Sequence, residues 1–181
     1  MITVGDKDFV PFIERKTIEA RIAALALQIS QDYQAKRPLL VGVLNGAFMF
    51  AADLMKEISV PCEISFVKVS SYQQAASTGR VTQLIGLQED LTGRHVVIVE
   101  DIVDTGLTMS EILTELQKQN PRSVEITTLL FKPEALRKAI RPRYVGFEIA
   151  NRFVVGYGLD YNGLGRNLAD LYVLAEAPGV A

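Results

Sequence analysis

Residues 95–119 read HVVIVEDIVDTGLTMSEILTELQKQ, and this stretch most constrains what the chain can become. A short, nearly continuous apolar run rich in β-branched residues reads as a buried strand. A glycine-containing turn follows, and then an amphipathic helix. The order recurs upstream, where the strand run RPLLVGVL leads into the helical AFMFAADLMKEI. Strands alternating with helices predict an α/β architecture, a mostly parallel sheet covered by helices on both faces. Ligands of such sheets lie beyond the carboxyl ends of the strands, where the strand order reverses. Three acids, Glu100, Asp101 and Asp104, stand at one of those ends.

The rest of the chain fits this frame. Ile18, Ile22, Leu25 and Ile29 step along one face of a helix predicted over 14–34. CEISFVKVS, SVEITTLLF, YVGFEI, FVVGYG and LADLYVL read as further strands, and PEALRKAI as a short helix opened by Pro133. SYQQAASTGRVTQLIGLQEDLTGR has weak periodicity and predicts a long loop or loose hairpin. With no repeat or Gly/Ser linker, the 181 residues predict one domain, 1–181, that buries roughly 70% of its unfolded surface. The single Cys62 excludes an internal disulfide and suits a reducing, cytoplasmic setting. No signal peptide and no apolar run of membrane-spanning length is legible. A net charge of -2 argues against nucleic acid or an anionic membrane as partner.

The turn DTGLT, 104–108, carries two hydroxyls and a glycine able to adopt positive φ. Thr108 and Glu111 fit a capping box, which predicts a helix start with open backbone amides, a ready anion site. The Lys-Ser/Thr of a nucleotide P-loop is absent. Two adjacent carboxylates ending an apolar strand cost desolvation unless a metal, a cation or hydroxyl donors offset it. Alternating strand geometry sends Glu100 and Asp101 to opposite sides. From the residues alone, a diol and metal site and a set of solvated turn acids both remain open.

VVIVEDIVDTGLTM resembles the phosphoribosyl-pyrophosphate (PRPP) binding signature of type I phosphoribosyltransferases. The likeness extends over nearly the whole chain. VGVLNGAFMFAADL resembles the pyrophosphate loop of the hypoxanthine-guanine phosphoribosyltransferase family, and VSSYQQAASTG its mobile Ser-Tyr loop. LLFKP and VGFEIANRFVVGYGLDYNGLGRNL resemble the family's purine and second metal sites. The resemblance implies a type I phosphoribosyltransferase fold with a small hood formed by the chain ends. It implies purine salvage: transfer of the 5-phosphoribosyl group from PRPP to hypoxanthine, and to guanine, giving IMP or GMP and pyrophosphate.

The resemblance also implies roles. Asp104, Thr105, Gly106, Leu107 and Thr108 would wrap the 5′-phosphate, with Leu107 offering only backbone. Glu100 and Asp101 would face the ribose hydroxyls, directly or through Mg²⁺, and Asp104 would be the general base at the purine N7. Leu44, Asn45, Gly46 and Arg166 would hold pyrophosphate; Asn45 stands where the family often has Lys, and a cis peptide is typical there. Lys132, Arg152, Phe153, Val154 and Asp160 would form the purine site, with Asp160 also a second Mg²⁺ ligand. Arg152 replaces a usual Lys as donor to the 6-oxo group, with a longer, planar fork. Ser71 and Tyr72 would head the mobile loop. Homodimers or homotetramers are implied. Competing readings are a phosphoribosyltransferase for xanthine and a same-fold PRPP-binding regulator of RNA, for which the basic face is lacking.

Overall fold

The computed structural model describes residues 1–73 and 80–175, with side chains described except at 70–73 and 80–85. The turn and helix elements follow the expected alternation: β1 (Ile2–Val4), β2 (Lys7–Ile13), α1 (Arg15–Asp32), β3 (Leu39–Leu44), α2 (Phe48–Glu57) and β4 (Glu63–Gln73). β5 (Arg80–Ile85), β6 (His95–Val103), α3 (Leu107–Gln117), β7 (Ser123–Phe131), β8 (Tyr144–Glu148), β9 (Val154–Val155) and β10 (Leu171–Leu174) complete them.

Six strands form the main sheet in the order β5-β4-β3-β6-β7-β8. β4, β3, β6, β7 and β8 are parallel, and only β5 runs antiparallel, against β4. The chain leaves β3 toward β4 and returns on the other side of β3 as β6. The strand order therefore reverses between β3 and β6, and the crevice beyond their carboxyl ends is the switch point.

Strand alternation decides which helix each residue meets. Leu40, Val97 and Val99 face one layer with Ile18, Ile22, Leu25 and Phe50 of α1 and α2. Leu39, Val41, Val96 and Ile98 face the other with Met109, Ile112 and Leu116 of α3. Apolar on both faces, β3 and β6 can only be interior strands.

The chain ends build a second sheet, β1-β2-β10-β9, the expected hood. Its N-terminal hairpin was not legible as strands, although Gly5, at φ 62°, and Asp6 form its two-residue turn.

Other expectations change in detail. PEALRKAI forms only a 3-10 turn, Pro133–Ala135. Leu136 turns extended, and the Arg137 amide donates to the Thr105 carbonyl at 2.9 Å instead of to a helical partner. FVVGYG shrinks to two strand residues because Gly156, Tyr157 and Gly158 all take positive φ. The polar stretch after β4 is a hairpin where it is described, with Ser71 opposite Thr82 and Tyr72 opposite Val81. Most of the Ser-Tyr loop, 74–79, lies outside the described residues. Among the described residues no helix is long and apolar enough to cross a membrane.

Candidate active site

The switch point gathers two loops. The first follows β3, where the Leu44–Asn45 peptide is cis. The chain then passes so close to β6 that a Cβ on Gly46 would stand 1.6 Å from Asp101 Oδ2. Glycine is required here by close approach. A second contact closes from the other side: a Cβ on Gly158, at φ +98°, would meet the Gly46 carbonyl oxygen at 2.2 Å.

The second loop is the turn after β6. Gly106 takes φ 76° and is the residue capping α3, which corrects the assignment of Thr108 as the cap. A left-handed residue at this point turns the chain sharply, so Thr108 falls inside the first helical turn. Side chains of Leu136 and Ile140 pack against Gly106, which holds the turn from behind. Gly106 has no side chain with which to cap the helix, and the Leu107 amide reaches Thr105 Oγ1 only at a long 3.5 Å, an arrangement that suits an anion at the helix start. Glu100, Asp104, Thr105, Gly106 and Thr108 line a cavity of about 90 Å³ at this turn, room for a phosphate-sized group. Leu107 is exposed and does not line this cavity.

Between the loops lie the acids. Glu100 is buried and lines the phosphate cavity, while Asp101 lies against Gly46. Strand alternation does not separate them: the two carboxyl groups lie within hydrogen-bonding reach of each other, and the Asp101 amide donates to Glu100 Oε1 at 3.2 Å. Burial, reinforced by the charge of Asp101, pushes the Glu100 carboxyl well above its ordinary range. Burial raises Asp101 as well, against the Ile102 amide, which donates to Asp101 Oδ1 at 2.8 Å, and the Arg166 charge. Such acids want a cation or hydroxyl donors.

Asp104 is half-exposed at the mouth of the turn, and Lys132 Nζ donates to its Oδ2 at 2.7 Å. Lys132 itself is buried at the end of β7, also reaching Asn151 Oδ1 at 3.5 Å. The sequence reading did not include Asn151. The buried ammonium thus fixes the orientation of a carboxylate that solvent still reaches.

Phe153 is 45% exposed, with rings of Phe9 and Tyr161 behind it at 6.3 and 5.8 Å, so one ring face is free for a planar base. The Leu174 amide donates to the Phe153 carbonyl at 2.9 Å, and Val154 pairs with Val173. In an antiparallel ladder this leaves the amide and carbonyl of Val154 pointing away from β10, toward the open edge of the hood. Arg152 is partly buried beside them.

Asp160 and Arg166 pair with each other, Nη2 to Oδ1 at 2.5 Å, and Asp160 Oδ2 accepts the Gly163 amide at 2.7 Å. Arg166 Nη1 donates to the Gly158 carbonyl at 2.6 Å. Asn45 is exposed at the tip of its loop. The acid pair, the phosphate turn, Lys132 and the 44–46 loop are thus brought together. Asp160 is held to Arg166 instead of joining Glu100 and Asp101: among the described residues no three His, Cys, Asp or Glu converge as a metal cluster.

A crevice at the strand-order reversal, with a cavity at a helix start, paired acids and a second, glycine-wedged loop, is the architecture of a phosphoribosyl-transferring enzyme. A family model, the phosphoribosyl transferase domain, matches residues 13–162. More particularly, the chain belongs to the hypoxanthine-guanine phosphoribosyltransferase family. It is 45% identical to the hypoxanthine-guanine phosphoribosyltransferase of Mycobacterium tuberculosis, over 84% of this chain and 79% of that protein. It is 43% identical to the hypoxanthine phosphoribosyltransferase of Haemophilus influenzae, over 86% and 89%. The crystal structure of a Staphylococcus aureus hypoxanthine phosphoribosyltransferase superimposes with a TM-score of 0.85 at 40% identity, covering 92% of this chain and 91% of that one.

Proposed function

We propose that the chain is a purine-salvage enzyme that transfers the 5-phosphoribosyl group of PRPP to hypoxanthine, and to guanine, releasing pyrophosphate. The observation that carries this reading is the convergence, at one strand-order reversal, of the turn at the start of α3, the buried Glu100 beside the half-buried Asp101, and the Lys132-held Asp104.

Each group has a task. The amides of 105–108 and the hydroxyls of Thr105 and Thr108 hold the 5′-phosphate against the start of α3. Glu100 and Asp101 receive the ribose hydroxyls. The amides of the 44–46 loop and Arg166 hold the pyrophosphate. Phe153 stacks on the base, Val154 offers its backbone to the base edge, and Arg152 and Lys132 donate toward the 6-oxo side. Asp104, reaching the base from the mouth of the turn, takes the N7 proton as the glycosidic bond forms.

The donor set suits Mg²⁺: two adjacent carboxyl groups offering hard oxygens, with the remaining coordination left to substrate oxygens and water. Glu100 and Asp101 would hold one ion, and Asp160, once released from Arg166, a second. When bound, Mg²⁺ supplies charge that stabilises the departing pyrophosphate. The working unit is one domain that assembles as a homodimer or homotetramer in a cytoplasmic setting, a reading supported by the single half-buried cysteine.

Steady-state rates with PRPP, Mg²⁺ and each of hypoxanthine, guanine, xanthine and adenine test the proposal. Turnover of hypoxanthine is expected. A preference for xanthine would support the alternative substrate class, and absence of turnover with all four would overturn the assignment.

A further inference from the structure

Tyr157 has no task in the reaction above, yet its surroundings are unusually demanding. It is 2% exposed and takes φ 47°, a left-handed conformation that bulky residues rarely adopt. Gly156 and Gly158 flank it, both also at positive φ. A buried phenol needs a partner. Here the hydroxyl donates to Asp53 Oδ2 at 2.5 Å, across 104 residues of chain.

Both ends of that bond lead to the pyrophosphate side of the crevice. Asp53 belongs to α2, which begins at Phe48 immediately after the 44–46 loop. Tyr157 precedes Gly158, whose Cα rests on the Gly46 carbonyl. Gly158 and Arg166 are bonded in both directions: the Gly158 amide donates to the Arg166 carbonyl at 3.0 Å, and the Arg166 guanidinium donates to the Gly158 carbonyl at 2.6 Å. A single line of contacts therefore runs from α2 through Asp53, Tyr157 and Gly158 to Arg166, and closes back on Gly46.

We propose that the Tyr157–Asp53 hydrogen bond is a positioning device for the pyrophosphate subsite, setting the distance between the 44–46 loop and the Arg166 guanidinium. Tyr157 and Asp53 are positioning residues that touch no substrate. The proposal rests on the reading of the 44–46 loop and Arg166 as the pyrophosphate groups. Its physical basis is that the two anion-holding groups come from chain segments more than a hundred residues apart. Without a fixed joint between α2 and the 156–166 turn, each would have to be ordered by the ligand itself, which weakens binding.

Tyr157→Phe keeps the ring and removes only the hydroxyl. The full chain, wild type and variant, is titrated with magnesium pyrophosphate by calorimetry, and steady-state constants are measured alongside. A hydrogen bond to a charged group is worth about tenfold or more in an equilibrium. The expected result is a rise of about five- to tenfold in the pyrophosphate Kd and in the PRPP KM, with the hypoxanthine KM changed less than about twofold. Asp53→Ala should reproduce this pattern. Asp53→Asn keeps an acceptor for the phenol and should restore most of the affinity. Lys56→Ala, which removes only the surface partner of Asp53 at 2.8 Å, should leave both constants as in the wild type.

A lowered Tm for Tyr157→Phe with unchanged pyrophosphate Kd and PRPP KM would overturn the proposal, leaving the bond a fold contact only. Asp53→Asn as weak as Asp53→Ala would equally reject the hydrogen bond as the cause. A wild type that fails to bind pyrophosphate would sink the subsite assignment itself, and this inference with it.

Discussion

Gly46→Ala tests how tightly the crevice is built. The added methyl would stand 1.6 Å from Asp101 Oδ2 and 2.4 Å from its Cγ, where real Cβ atoms come no closer than 3.0 Å. The loop or the carboxylate must therefore yield by about 1.4 Å, the gap between contact and floor. The loop is hemmed in by Gly158 on its other side, so Asp101 should bear much of the shift. Displacing a substrate-holding group by about 1 Å costs on the order of 10²-fold in rate, or about 2.7 kcal/mol in the barrier. Hypoxanthine conversion to IMP, followed spectrophotometrically over a PRPP range, should show kcat/KM for PRPP falling by about that factor. The double variant Gly46→Ala/Asp101→Ala sharpens the test, because with Asp101 truncated there is nothing left for the methyl to displace. Its loss should match Asp101→Ala alone. Additive losses, or a Gly46→Ala enzyme with wild-type kcat/KM, would refute the reasoning.

Three further outcomes follow from the same geometry. Asp104→Asn retains an acceptor for the Lys132 ammonium and so keeps the fold, but kcat should drop by about 10²–10⁴-fold; equal turnover would remove Asp104 as the base. Phe153→Ala deletes an exposed ring, and its cost should appear mainly in the hypoxanthine KM, which rises by about five- to a hundredfold, base stacking being worth about 1–3 kcal/mol; an effect confined to Tm would mean that the ring only packs the hood. Burial, then the Arg122 and Lys36 charges, lower the pKa of His95 from 6.5, so the unfolded chain binds the proton more readily. Its contribution is complete above pH 6.5 and declines as pH falls toward the lowered folded value, and the Tm difference between wild type and His95→Gln should shrink over that acid window; a difference independent of pH would contradict it.

Some of this was legible before any coordinates. HVVIVEDIV and SVEITTLLF occupy β6 and β7 to the residue, because runs buried on both faces leave no choice of secondary structure. The strand-to-helix turn was legible too, since Gly106 breaks the apolar run at the point where the chain must reverse. PEALRKAI misled because its helical periodicity is local, whereas the Arg137 amide is claimed by Thr105 from another loop. The capping box misled for a similar reason: Thr108 and Glu111 have the right spacing, but the left-handed Gly106 starts the helix earlier. The N-terminal hairpin was hidden because its strands are short and half-exposed, and they earn their stability only against the far end of the chain.

The sequence by itself determined the alternation of elements, the layering of the sheet and the acidic turn after β6, since each depends on residues near one another in the chain. Only the tertiary structure decided which acids are buried, that Lys132 holds Asp104, that Arg166 holds Asp160, and that Gly46 and Gly158 are wedged together. Apart from the Asp160–Arg166 pair, whose partners are close in the chain, those are contacts between segments 28 to more than a hundred residues apart, and no local pattern encodes the distance at which two strands' loops will meet.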